Sequence, residues 1–143
     1  MPDGAVSAPA EPLPEGEAAV LALLGLLPRT ARGPKREGIF ALWLTVRVAQ
    51  ELEHRPEPTP AVERAHRRRI AALEQRLSSL TLPPPLRRAL AGALTQLRDP
   101  RPDTAASVLS QLVAPARDGA GAEAGDALAL AARHARLARE QAP

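Results

Sequence analysis

Apolar residues dominate the stretch Arg36–Leu52, REGIFALWLTVRVAQEL, and leave no polar face between positions 39 and 46, and this stretch holds the only Trp (Trp43) and the only Phe (Phe40) of the chain. On a helix Ile39, Trp43 and Val46 share one side, Leu42 and Ala49 border it, and Phe40, Leu44 and Val48 turn to the far side. A helix apolar all round has to be covered on several sides. The pattern therefore predicts a central buried helix over residues 35–54 with Trp43 at the middle of the core. Its length approaches that of a membrane span, but Arg47 falls inside the apolar run and Arg36, Gln50, Glu51 and Glu53 crowd its ends, so no transmembrane segment is expected.

The flanking patterns place the other helices. EAAVLALLGLL, from Glu17 to Leu27, reads as a short core helix stopped by Pro28. After the central helix, RPEPTP holds the chain extended near His54. Thr59 then offers a cap with Pro60 in the first turn. Val62, His66, Ile70, Leu73, Leu77 and Leu80 follow alternating steps of four and three along one seam, the clearest period in the chain. TLPPP, residues 81–85, turns a corner into a second stripe of Leu86, Leu90, Ala93, Leu94 and Leu97, which predicts an antiparallel helical hairpin over residues 60–98. Asp103 is the expected cap of a helix that carries Val108, Leu109, Leu112 and Val113 and ends by Pro115. A loop over Asp118–Gly121 and a last helix over Ala122–Glu140 complete the pattern.

The expected fold class is all-α: a compact bundle of about six helices forming a single helical domain over residues 16–143. Residues 1–15, rich in Pro, Ala and acid, have nothing to bury and are expected to form a disordered acidic tail. With aromatics at 1% and apolar residues at 45%, the core has to be built from Leu, Ala and Val, which suits closely approaching helices better than a sheet. Residues 83–115 and 116–143 are each loosely similar to a helical-repeat unit. The irregular spacing and missing marker aromatics argue against a tetratricopeptide-like array.

Charge changes the picture only locally. The net charge is +3, and Lys35 is the single lysine among 19 Lys and Arg, a bias that GC-rich coding alone imposes. The pI of 10.8 follows from the scarcity of groups that titrate between neutral pH and Arg. The middle of the chain is nevertheless basic. Arg29, Arg32, Lys35 and Arg36 precede or open the central helix, where their charge opposes its dipole and a bound phosphate would relieve the conflict. On the third helix Arg64 and Arg68 point outward, whereas Arg69 and Arg76 flank the seam. These eight bases are the candidate partner-binding or anion-binding residues.

Chemistry is otherwise sparse. No cysteine is present to supply a thiolate, a disulfide or a zinc ligand. His54, His66 and His134 sit on three different segments with no paired spacing, so a metal site would need them to meet in space and none is expected. Ser78, Ser79, Ser107 and Ser110 lack a nucleophile elbow, and the carboxylates offer no acid and base pair. No catalytic residue, cofactor or small-molecule ligand is expected.

These readings lead to a non-enzymatic protein-protein interaction module, such as an adaptor, regulatory subunit or small chaperone-like protein, that binds a protein partner or itself. Its hairpin over residues 60–98 is the expected partner-facing element. The alternative is a nucleic-acid or polyanion binder using the loop 29–36 and the Arg-rich third helix. The N-terminal stretch lacks the basic region and apolar core of a secretory signal, so a cytoplasmic location is expected.

Overall fold

A computed structural model describes residues 15–54 and 57–141. Apart from Glu15, the expected tail of residues 1–15 lies outside the described residues. The chain forms α1 (Glu15–Leu26), a 3-10 turn (Leu27–Arg29), α2 (Pro34–Glu53), α3 (Pro60–Ser78), α4 (Pro84–Arg98), α5 (Thr104–Ala120) and α6 (Ala122–Gln141). The fold is all-α, and among the described residues no helix is long and apolar enough to cross a membrane.

Proline sets where three of the helices begin. It occupies the first turn of α2, α3 and α4, where its missing N–H leaves no intrahelical bond unmade. At α3 the Thr59 hydroxyl accepts from Val62 N at 3.1 Å, the cap expected from the sequence. Asp103 holds the position before α5 but its side chain makes no capping bond. There Thr104 Oγ1 accepts instead from Arg101 N at 2.7 Å, closing the turn ahead of the helix.

The buried side chains of all six helices form one contiguous cluster. α2 runs through it and buries Gly38, Ile39, Ala41, Leu42, Thr45, Val46, Val48 and Ala49. At about 100 degrees per residue these positions cover half of the helix circumference. The polar Thr45 is tolerated because its hydroxyl donates to Ala41 O at 2.8 Å.

The two seams read from the sequence are the faces that become buried. α3 turns His66, Ile70, Leu73 and Leu77 inward, and α4 turns Leu86, Leu90, Ala93, Leu94 and Leu97. His66, early in α3, meets Leu97 at the end of α4, the order of an antiparallel pair. The corner between them is fixed to α2 where Thr81 N donates to Glu37 Oε1 at 2.9 Å. α4 is built into the bundle against α5, while α3 lies on the outside with most of its other residues exposed.

α5 departs from expectation. It continues through Pro115 to Ala120, and the loop expected at Asp118–Gly121 shrinks to Gly121 alone. Proline removes a donor and costs helix stability, but Ala116 and Ala120 are buried, so the last turn of α5 is held by its packing. Gly121, with φ +101, permits the reversal that a side chain would strain. α6 then packs along α5 and α1, and most of its buried residues, Ala124, Gly125, Ala131 and Ala135 among them, are small enough to let helix backbones approach closely.

Candidate functional site

The outer half of α2 carries the features that a partner or ligand could use. Opposite the buried arc lie Phe40, Trp43, Leu44 and Arg47. Phe40 and Trp43 are only partly buried, which corrects the expectation of Trp43 at the centre of the core. Their rings stack with centroids 5.9 Å apart and planes 22° from parallel. The Arg47 guanidinium lies 4.8 Å from the Trp43 ring centroid, and that of Arg76 reaches from α3 to 5.3 Å from Phe40. Two cations thus sit on one aromatic pair and attract its π-faces. The Trp43 Nε1–H is buried without a hydrogen-bond partner.

Hollows lie at both ends of this face. The larger, about 810 Å³, lies over the C-terminal half of α2 and is walled by Glu17 and Val20 of α1 and by Val62, Ala65, His66 and Arg69 of α3. Val48 and Leu52 of α2 contribute apolar surface to it, and Arg47 enters from the aromatic pair. The smaller, about 370 Å³, is lined by Leu27, Arg32, Gly33, Arg36, Glu37 and Phe40. Leu21 and Leu24 of α1 are 45% and 44% exposed and share the Glu17 and Val20 side of their helix, so apolar surface continues beyond the groove.

The eight candidate bases do not form one patch. Arg32 and Arg36 line the smaller hollow, and Arg76 lies over the neighbouring Phe40. Arg29 instead pairs with Glu123 of α6 at 3.2 Å. Lys35 lies across Gly121, where an added Cβ would stand 3.2 Å from its Cε. Arg69 pairs with Glu51 of α2. Arg64 and Arg68 are exposed on the outward side of α3, as their spacing predicts.

At the end of α2 a second constellation appears that pattern reasoning missed. Glu53 has a side chain only 6% exposed, yet neither carboxylate oxygen has a hydrogen-bond partner. Burial pushes its carboxyl up from the ordinary 4.5 to about 7. His134 of α6 brings Nε2 to 3.5 Å from Glu53 Oε2, and His54 stands beside them, so that one donor atom of each lies within 4.8 Å of the others. Two of the three histidines therefore do meet in space. The third, His66, is engaged elsewhere, with Nε2 2.6 Å from Leu97 O.

One signal in the sequence pointed to the outer face. Arg47, seven residues past Phe40 and four past Trp43, falls on their side of the helix and marks the face of α2 that reaches water, since an unpaired guanidinium does not enter a core. No comparable signal announced the Glu53 cluster, which joins the neighbours Glu53 and His54 at the end of α2 to His134 of α6, far away in the chain. The chain matches no protein-family model, no curated protein and no solved structure.

Proposed function

We propose that the chain is a non-enzymatic helical interaction module whose groove on the outer face of α2 receives an amphipathic helix of a protein partner. The observation that carries this reading is the half-covered Phe40–Trp43 pair between two hollows, continuous with apolar side chains on α1 and α3. Helix-in-groove recognition needs such an apolar trough with anchoring points about one or two turns apart. Arg32, Arg36, Arg47 and Arg76 along the same face favour a partner helix with acidic residues beside its apolar stripe.

The polyanion reading draws less support. Arg29 and Arg69 are already paired with carboxylates, and Arg64 and Arg68 face away from the Arg32 and Arg36 hollow, so the bases are not gathered for tracking a phosphate backbone.

A photo-crosslinking amino acid placed at Ala65, on the groove wall, tests the proposal in an extract of the native host. A discrete protein adduct is expected from Ala65 and not from the same probe at Arg68. Equal labelling from both positions, or an adduct that disappears on nuclease treatment, would overturn the helix-binding reading.

A further inference from the structure

We propose that Glu53, His54 and His134 form a binding site for a divalent transition metal ion, with zinc the best match. The donor set, two imidazole nitrogens and one carboxylate oxygen, suits zinc and its neighbours and not magnesium or calcium, which prefer all-oxygen shells. Ligands of a tetrahedral zinc ion at bond lengths of about 2.1 Å stand about 3.4 Å apart. The Glu53 and His134 donors are already at 3.5 Å, and all three lie within 4.8 Å of one another. His54, exposed at the end of α2, closes the remaining distance by a change of side-chain rotamer.

The surroundings favour a cation. A buried carboxylate whose oxygens accept no hydrogen bond is costly, and a metal ion supplies the charge and the bonds that it lacks. Glu53 is the last residue of α2, where free carbonyl groups and the negative end of the helix dipole add to the attraction. No basic residue occupies that last turn. Arg101 and Arg139 do line a hollow shared with Glu53, but neither guanidinium hydrogen-bonds its carboxylate, and Glu57 in the same hollow offsets part of their charge.

His134 is also held in place. Gly16 of α1 packs so closely that a Cβ there would stand 2.8 Å from both His134 Cδ2 and Gln50 Nε2. Gln50 Nε2 in turn donates to Gly16 O, which fixes the start of α1 against the ring. Glu53 and His134 thus form the rigid part of the site and His54 the adjustable part. Three protein donors leave a fourth position of a tetrahedral shell for water; His54 also lines the larger hollow and Glu53 the hollow beside Arg101 and Arg139.

The test is zinc titration of the full chain by calorimetry after treatment with EDTA, with cobalt absorption as a readout of coordination. One equivalent should bind, and bound cobalt should show a tetrahedral spectrum. Glu53→Gln and His134→Asn should each weaken zinc at least about tenfold, the scale on which even outer-shell changes act, while circular dichroism shows the helices retained. Glu53→Asp, which keeps the carboxylate, should recover part of the affinity. The proposal fails if no stoichiometric zinc binds, or if both substitutions leave the affinity unchanged, since that would place any bound metal at other side chains.

Discussion

His66 Nε2 lies 2.6 Å from the carbonyl oxygen of Leu97, joining α3 to the last turn of α4. A carbonyl only accepts, so the ring must carry its proton on Nε2. The Leu97 carbonyl is one of the last in α4, beyond the reach of an intrahelical donor. The histidine in the α3 seam thus satisfies a helix end while burying its ring. Replacing it with Leu strands that carbonyl, and a loss of about 1–3 kcal/mol is expected in urea denaturation. A His66→Leu protein as stable as the parent would show that water reaches Leu97 O and that the bond contributes nothing net.

Trp43 should contribute less than its size suggests. It packs at the rim of the core, whereas Leu42 beside it is fully buried. Leu42→Ala is expected to cost about 2–5 kcal/mol, and Trp43→Ala less than the about 3–5 kcal/mol typical of a buried aromatic. Denaturation of the two variants under one condition gives the order. If Trp43→Ala proves the more damaging, the aromatic pair is part of the core in solution and the groove is closed there.

Metal-free protein should show a stability that falls as pH rises through weak acidity. The Glu53 carboxyl has its folded value raised to about 7 from an ordinary 4.5, so between these values the folded chain binds more protons than the unfolded one. Its contribution is fully present below about pH 4.5 and lost above about pH 7. The difference amounts to at most about 3 kcal/mol at 1.36 kcal/mol per unit. In EDTA, Glu53→Gln should therefore be more stable than the parent at about pH 8, and its melting temperature should vary less between about pH 4 and about pH 8. A Gln variant that is weaker at pH 8 would mean that the carboxylate is satisfied in solution.

Arg69 faces α2 through Glu51, an exposed pair, and so is not the free flank that a projecting hairpin would offer. Exposed pairs contribute about 0–1 kcal/mol. Arg69→Glu should lower stability by no more than about 1 kcal/mol, and the swapped pair Arg69→Glu with Glu51→Arg should regain most of it. A double-mutant cycle measures the coupling; a loss well beyond that range would mean that Arg69 supports the α2–α3 packing itself.

The parts of this fold that the sequence determined are those where one side of a helix is apolar and the other is not. In α3 and α4 the seams from His66 to Leu77 and from Leu86 to Leu97 have a single solution, since turning either helix would expose leucine and bury arginine. Thr59 and the first-turn prolines likewise fixed helix starts through local bonds that need no distant partner. Where local pattern was silent or split, tertiary packing decided. α2 is apolar on every side, so periodicity did not select its outward face, and α1 and α3 left Phe40 and Trp43 at the rim. α5 passes Pro115 because burial of Ala116 and Ala120 outweighs one lost backbone bond. The meeting of His134 with the neighbours Glu53 and His54 arises only from where α6 docks against the end of α2. Contacts between residues so far apart in the chain depend on how whole helices pack, and no short-range spacing encodes them.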